Sequence, residues 1–178
     1  NQMLGTLNLS LELYKVETGQ YKFEPEVIDC SAMFHIMVQN MAIDSKSISD
    51  RVEQRSGGTP VPSTFRCMCL GQHNMLQTAL QNLLKNALEA SPSGTPVFVD
   101  LLSSEKDCRI EIMNKGVVPL EIRDRFFDKY VTSGKFKGTG LGTYSARLMV
   151  KAQGGDISMR TSDEDNETVI TIHLPKPG

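Results

Sequence analysis

The sequence predicts a mixed α/β domain, because strong helical periodicity and paired strand patterns occur in the same chain. The clearest helical pattern is residues 73–90, where apolar residues recur at spacings of three and four. Two pairs of apolar segments, 97–102 with 108–113 and 157–161 with 168–174, are each joined by a short polar connection. With 178 residues, the chain is long enough for one hydrophobic core.

Composition excludes several classes of protein. A hydrophobic content of 39% is typical of a globular protein, and a net charge of −2 argues against a nucleic-acid surface. The sequence contains no apolar run of about 18 residues, the minimum for a membrane-spanning helix. Four cysteines lack the spacing of a zinc site and are predicted to be buried free thiols in a reducing compartment.

The first third of the chain alternates helical and extended patterns. Residues 4–16 predict a helix that ends near Thr18-Gly19, either an ordinary core helix or the end of a longer one. Because the chain begins at Asn1 and not at Met, we expect a fragment or a processed product. Residues 20–24 predict a strand, and Asp29 is the expected N-cap of a helix over 30–43. Further strands are predicted at 47–54 and 65–70, with a loop at 57–62.

The helix at 73–90 carries an unusual polar pair. Asn82 and Asn86 are four residues apart, so they leave the same face of the helix one turn from each other. Asparagine is a poor helix former, so the pair indicates either a solvated face or a binding site.

A glycine-rich loop precedes the last predicted helix, at 143–153. Gly138, Gly140 and Gly142 alternate with Thr139 and Leu141 directly before it. Glycines at a helix start allow close approach of a phosphate to free N–H groups, although such loops often only cap a helix.

Residues 120–130 predict a short helix. Residues 117–137 predict a mobile, basic lid.

Four segments of the chain occur in one characteristic order: QNLLKNALEAS, IEIMNKGVVP, RFFDKYVTSGK and GTGLGTYSARLMVKAQGGDI. Together they resemble the N, G1, F and G2 boxes of the ATP-binding domain of sensor histidine kinases, in the superfamily that includes gyrase, Hsp90 and MutL. The resemblance implies an α/β (α+β) two-layer sandwich of the Bergerat type, with a mixed, mostly antiparallel sheet and helices on one face. It also implies that residues 1–18 end a dimerisation-domain helix and that residues 19–178 form the ATP-binding domain.

The resemblance implies a set of site residues. Asn86 matches the residue that holds Mg²⁺, and Asn82 stands where ATPase members carry a catalytic Glu. Asn114 replaces the usual adenine-binding Asp, and the second glycine of that box is absent. Phe126 and Phe127 match the box that anchors the lid. The expected nucleotide-binding residues are Asn82, Lys85, Asn86, Asn114, Gly116, Lys135, Gly138, Thr139, Gly140, Leu141, Gly142 and Thr168, with Asn82, Asn86 and Lys135 expected to act in catalysis.

The implied function is the ATP-binding half of a protein histidine kinase. His35, His73 and His173 do not match a phosphoacceptor motif, so the acceptor histidine is expected before Asn1. The implied partners are ATP with Mg²⁺, the protein's own dimerisation and phosphoacceptor domain, a response regulator receiver domain and a second copy in a full-length homodimer, but no nucleic acid. The domain is expected to be cytoplasmic, whether or not the full-length protein is membrane-anchored. Two alternatives are an ATPase of the same superfamily and a non-catalytic interaction domain.

Overall fold

The computed structural model describes residue 11 and residues 13–44, 50–105, 107–132 and 139–178. Lys135 and Gly138, two of the expected nucleotide contacts, lie outside the described residues, as does most of the helix predicted at 4–16. Residues 13–17 are helical, and the predicted stop at Gly19 is confirmed by its φ of +68°. None of the helices in these ranges has both the length and the apolar composition that a bilayer crossing needs.

Among the described residues after Gly19, eight strands and three α-helices make up the fold. They are β1 (Glu26–Asp29), α1 (Cys30–Asp44), β2 (Val52–Ser56), β3 (Thr59–Pro60), β4 (Met68–Gly71), α2 (His73–Ala90), β5 (Val97–Ser103), β6 (Asp107–Lys115), α3 (Gly142–Ala152), β7 (Asp156–Ser162) and β8 (Glu167–Pro175). A 3₁₀ helix, Leu120–Arg125, follows β6. The predicted helix at 73–90 is confirmed in full.

Six of the strands form one mixed sheet in the order β3-β2-β5-β6-β8-β7. β2 pairs with β5 in parallel, and the other neighbouring strands are antiparallel. β1 and β4 pair with each other in a separate antiparallel sheet. The predicted mixed and mostly antiparallel sheet is therefore confirmed, and β1 and β4 lie outside it in a small second sheet.

The core lies between one face of the main sheet and the helices. Alternate residues of β6 are buried, and β5 and β8 follow the same alternation except at Asp100 and Val169, which are buried as well. α2 buries its apolar stripe against this face, and α3 packs beside α2. The buried residues of α2 are Met75, Leu76, Ala79, Leu80, Leu83, Leu84, Ala87 and Leu88. Its polar edge is therefore left at the margin of the core, next to α3.

Two local predictions are wrong. One segment predicted as a strand has no partner strand, and one segment predicted as a loop has one. Residues 20–24 are not a strand, because the nearby ladder with β4 begins only at Glu26. The predicted loop at 57–62 contains strand β3, because Gly57 and Gly58 (φ +59° and +79°) form a tight turn that folds Thr59–Pro60 back on β2. The predicted N-cap is confirmed, since Asp29 Oδ1 accepts from Ser31 N at 3.0 Å.

Candidate functional site

A cavity of about 410 Å³ opens between α2, the ends of β6 and β8, the 3₁₀ helix and the loop before α3. These elements lie far apart in sequence and meet only in the folded chain. The lining residues are Asn82, Lys85, Asn86, Glu89, Ala90, Asn114, Gly116, Val117, Val118, Pro119, Ile122, Phe126, Val131, Thr132, Thr139, Gly140, Gly142, Thr143, Thr168 and Ile170. The wall thus combines a polar helix face, an apolar loop and the start of a second helix.

The polar face of α2 carries two side-chain amides with groups that form no hydrogen bond to the rest of the described chain. Asn82 Nδ2 is buried and has no hydrogen-bond partner among the described residues. The side-chain amide of Asn86, one turn further and half-buried, makes no hydrogen bond within the same part of the chain. A buried amide without a partner costs about 1–3 kcal/mol, so a ligand that satisfies it gains that much. Lys85 pairs with Glu89 at 3.9 Å beside these amides.

Asn114 and Thr168 form a buried polar pair at the floor of the cavity. They lie opposite each other in the β6–β8 ladder and are only 5% and 4% exposed. Asn114 Nδ2 donates to Lys115 O at 3.0 Å, and Thr168 Oγ1 donates to Gly116 O at 2.8 Å. Because the Asn114 amide nitrogen is already bonded, its carbonyl oxygen is the group left to accept from a ligand.

Gly116 brings the loop after β6 against the end of α2. Its φ is +114°, and a Cβ at this position would lie 3.0 Å from Ala90 O. A side chain is therefore excluded both by backbone conformation and by space. Val118, where the family's box has its second glycine, is buried in the wall of the cavity, and its N–H donates to Thr161 Oγ1 at 3.2 Å. The loop keeps a defined position without that glycine.

The N-terminus of α3 completes the cavity. Leu141 is the N-cap and provides no side-chain hydrogen bond, and the first intrahelical bond runs from Ser145 N to Leu141 O at 2.8 Å. The N–H groups of the first turn are thus uncapped by a side chain, and Gly142 and Thr143 line the cavity. Uncapped N–H groups and the positive end of the helix dipole favour an anion here.

Gly140 joins this helix start to the segment after Phe126. Its φ is +67°, and a Cβ would lie 2.6 Å from the Tyr130 carbonyl carbon. Tyr130 N donates to Gly140 O at 2.9 Å, and Thr143 Oγ1 donates to Phe126 O at 2.9 Å. Residues 126–130, called the phenylalanine segment below, are therefore bonded both to Gly140 of the glycine loop and to Thr143 in the first turn of α3.

Most of the expected site residues meet at this cavity. Those that line it are Asn82, Lys85, Asn86, Asn114, Gly116, Thr139, Gly140, Gly142 and Thr168. Leu141 does not line it and instead caps α3 through its backbone. Two lining residues could have been found by periodicity alone: Ala90 lies one turn after Asn86, and Ile170 lies on the same strand face as Thr168. No local sequence pattern predicts that Val131 and Ile122 line the cavity.

A second polar contact ties the end of the N-terminal helical segment to the site. Glu17 Oε1 accepts from Lys129 Nζ at 2.6 Å and from Tyr144 Oη at 2.6 Å. These two hydrogen bonds, the Lys129 bond foremost, hold the pKa of Glu17 below its ordinary value. The residue just before the predicted domain boundary is thus bonded to the phenylalanine segment and to the first turn of α3.

The fold and the cavity define an ATP-binding catalytic domain of the histidine-kinase type. Residues 71–178 match the family described as histidine kinase-, DNA gyrase B- and HSP90-like ATPases. The chain belongs to this family.

Curated relatives are sensor kinases. Sensor histidine kinase WalK of Bacillus subtilis (strain 168) is 27% identical over 98% of this chain and 28% of its own length. Sporulation kinase D of the same strain is 33% identical over 60% of this chain and 21% of its own length. The chain thus spans less than a third of either relative.

Solved structures share the fold at low sequence identity. The Acinetobacter baumannii histidine kinase AdeS superimposes with a TM-score of 0.71 at 18% identity, covering 97% of this chain and 77% of that one. The catalytic domain of histidine kinase ThkA superimposes with a TM-score of 0.68 at 19% identity, covering 86% of this chain and 98% of that one.

Proposed function

We propose that this domain binds ATP together with Mg²⁺ and transfers the γ-phosphoryl group to a histidine of a dimerisation domain outside these 178 residues. The observation that carries the proposal is one cavity that joins the Asn82 and Asn86 face of α2 to the uncapped N-terminus of α3. Phosphoryl transfer depends mainly on positioning and electrostatic stabilisation, and this cavity offers groups for both.

The adenine is assigned to the floor of the cavity. The free carbonyl oxygen of Asn114 accepts from the exocyclic amino group, and Thr168 and Ile170 lie beside it. An amide acceptor lacks the charge of the usual aspartate, so this hydrogen bond is weaker than in the family pattern. The apolar walls formed by Val118, Ala90 and Ile122 suit a flat aromatic ring.

The donor set fits a magnesium ion held mostly by phosphate. Asn86 offers a hard, neutral amide oxygen, and its amide is not used by the described part of the protein. No group of three or more His, Cys, Asp or Glu side chains in the described ranges is arranged to hold a metal ion by itself. Mg²⁺ usually keeps several waters and binds through one or two protein ligands plus phosphates. When bound, it neutralises charge on the phosphates.

The residues favour transfer over hydrolysis. Asn82 cannot accept a proton, so it cannot act as the base that activates water in ATPase members. Its buried Nδ2 donor is instead available for a phosphate oxygen. The N–H groups of Gly142 and Thr143, with the loop at Thr139 and Gly140, are assigned to the phosphates. Lys135 and Gly138 are proposed to join them from outside the described residues.

The decisive experiment separates binding from transfer. The 178-residue chain is expected to bind Mg-ATP in calorimetry, yet neither to label itself with γ-labelled ATP nor to hydrolyse it appreciably. Adding a dimerisation domain with its histidine, fused ahead of Asn1 or in trans, should produce acid-labile phosphate on that histidine. Rapid ATP turnover without such a domain would contradict the assignment and favour an ATPase. An absence of nucleotide binding would favour a non-catalytic domain.

Replacing Asn114 by alanine is expected to weaken ATP and ADP alike, by roughly 1–2 kcal/mol, the cost of one hydrogen bond in a site. The two nucleotides share the adenine, so the loss should not depend on the γ-phosphate. Calorimetry with both measures it. Thr171→Ala, a change in the same strand as Thr168 but outside the cavity, is the matched control for a change in strand packing. Equal binding of ATP and GTP by the unmutated protein would refute adenine recognition by Asn114.

We further propose that residues 1–18 end a dimerisation-domain helix and that the ATP-binding domain begins at residue 19. The contact of Glu17 with Lys129 and Tyr144 supports a defined junction, since it joins the two sides of this boundary. We propose that this domain is cytoplasmic and that the full-length protein is a homodimer that passes phosphate to a response regulator receiver domain.

The contribution of the Glu17 contact to stability is expected to depend on pH. Glu17→Gln is expected to lower the free energy of unfolding at pH 7 by no more than about 1 kcal/mol, because exposed ion pairs contribute little. The folded-state pKa of Glu17 is lowered, so its contribution is present above its unfolded pKa and is lost as pH falls through the folded value. Thermal unfolding measured from pH 7 downward should show a difference between variant and wild type that shrinks once the pH falls below the unfolded pKa of a glutamate, about 4.3. Glu24→Gln, in an exposed pair with Lys22, is the matched control.

A further inference from the structure

All four cysteines of the chain meet in one buried cluster, although they lie in four separate places in the sequence. Cys30 begins α1, Cys67 precedes β4, Cys69 lies in β4 and Cys108 lies in β6. Each is 0% exposed and free. The cluster lies where the small β1–β4 sheet packs against β6, away from the residues that line the nucleotide cavity.

The four sulfur atoms lie within hydrogen-bonding reach of one another through Cys108, which contacts Cys30 and Cys69 as well as Cys67. The two shortest separations define two pairs. Cys67 Sγ lies 2.6 Å from Cys108 Sγ, and Cys30 Sγ lies 3.1 Å from Cys69 Sγ. Four thiolates around a tetrahedral zinc ion, with Zn–S bonds of about 2.3 Å, would be separated by about 3.8 Å. The two separations are shorter than that, and the described cysteines form no group arranged to hold a metal ion. Close pairs are the arrangement that disulfide formation needs.

We propose that this cluster is a thiol redox site, in which a hydroperoxide oxidises the pairs Cys30–Cys69 and Cys67–Cys108 to two disulfides. The proposal concerns a part of the molecule that the nucleotide cavity does not use, so it does not depend on the proposed kinase function.

The cluster itself distinguishes the roles of its members. Hydrogen bonds from Cys108 and Cys30 lower the pKa of the Cys69 thiol, which makes Cys69 the member that most readily forms a thiolate. Hydrogen bonding to Cys108 and burial raise the pKa of Cys67, so Cys67 keeps its proton. Cys69 is therefore the first nucleophile, and Cys30 is its resolving partner.

The reaction balances with one hydroperoxide per pair. The Cys69 thiolate attacks a peroxide oxygen, the O–O bond breaks, and the alkoxide leaves as an alcohol after taking up the proton that Cys69 had lost. The product at Cys69 is a sulfenic acid. The Cys30 sulfur then attacks the Cys69 sulfur, an S–S bond forms, and the hydroxyl leaves as water with the Cys30 proton. Two thiols lose two electrons, which the peroxide gains. The Cys67–Cys108 pair reacts in the same way with a second hydroperoxide, with the Cys108 sulfur as the attacking atom and Cys67 as the resolving thiol.

Access to the buried sulfurs requires only a local opening. Cys67 directly follows a mostly exposed segment at residues 62–66, and the two-stranded sheet begins at the next residue. Short, peripheral elements of this kind open more readily than the centre of a domain. Once formed, the Cys67–Cys108 disulfide joins β4 to β6, and the Cys30–Cys69 disulfide joins the start of α1 to β4.

The test uses the reduced 178-residue protein and cumene hydroperoxide, an apolar oxidant suited to a buried site. Alkylation under denaturing conditions should fall from four cysteines to none, with intact mass lower by roughly 2 Da per disulfide. Peptide mapping should find Cys30 joined to Cys69 and Cys67 joined to Cys108. A dithiol reductant should restore all four thiols, and Tm should be higher in the oxidised form by roughly 5–10 °C.

Single variants separate the pairs. Cys30→Ala should still form the Cys67–Cys108 disulfide, and Cys67→Ala should still form the Cys30–Cys69 disulfide. Four alkylatable cysteines after a dose that oxidises exposed methionines would overturn the proposal. Sulfinic or sulfonic acids in place of disulfides, different pairing in the wild type, or a stoichiometric metal ion retained on the thiols would overturn it equally.

Discussion

Replacing Asn86 by alanine is expected to weaken Mg-ATP binding at least about tenfold, or ~1.4 kcal/mol, with the fold unchanged. Asn86 is the amide assigned to the metal, and Mg²⁺ takes few protein ligands beside phosphate oxygens and waters, so the loss of one is large. The affinity of the variant should no longer respond to Mg²⁺. Calorimetry with ATP, in the presence of Mg²⁺ and of a chelator, measures both quantities.

Two further substitutions make this result specific. Asn74→Ala is the same chemical change in the exposed first turn of the same helix, away from the cavity, and should leave the Mg²⁺ response intact. Asn86→Asp keeps an oxygen ligand and should keep a response to Mg²⁺. Equal Mg-ATP affinity in wild type and Asn86→Ala would remove Asn86 from the site.

The second large effect is expected at Gly140. A Cβ here would lie 2.6 Å and 2.7 Å from the carbonyl carbon and Cα of Tyr130, which are backbone atoms with no rotamer to relieve the contact. The φ of +67° adds a conformational cost of about 1–2 kcal/mol for any L side chain. Gly140→Ala should therefore displace the Tyr130–Val131 segment from the loop and weaken ATP binding by about tenfold or more.

Gly142 provides the matched control for the fold. A Cβ at Gly142 meets nothing within 4 Å, and its φ is not in the left-handed region. Gly142→Ala should keep or raise Tm, because alanine favours a helix over glycine by about 1 kcal/mol, whereas Gly140→Ala should lower it. Wild-type ATP affinity and Tm in Gly140→Ala would contradict the importance of this contact.

Local signals were sufficient for the elements that carry the polar side chains. The apolar stripe of residues 73–90 determines both the helix and its buried face, so the relative placement of Asn82 and Asn86 followed from periodicity. Asp29 as N-cap and Gly19 as helix stop were likewise predictable, because capping depends on neighbours within a few residues. The order of the four motif segments was enough to predict the class of fold.

Prediction failed where an outcome depended on a distant partner. The strand expected at 20–24 is absent because alternation alone supplies no partner strand, whereas Thr59–Pro60 became a strand because β2 was within reach of a tight turn. The wall residues Ile122 and Val131 carry no local mark of a site. They belong to it only because their segments pack over the cavity.

The sequence by itself determined the helices, most strands, the class of domain and most of the polar residues of the candidate site. Tertiary structure alone decided that Asn114 faces Thr168 across a ladder, that Gly140 meets Tyr130, that Glu17 reaches Tyr144, and that four scattered cysteines share one cluster. Periodicity and capping act over a few residues and can be read along the chain. Contacts between remote segments depend on strand register and on packing of the whole core, which no single segment encodes.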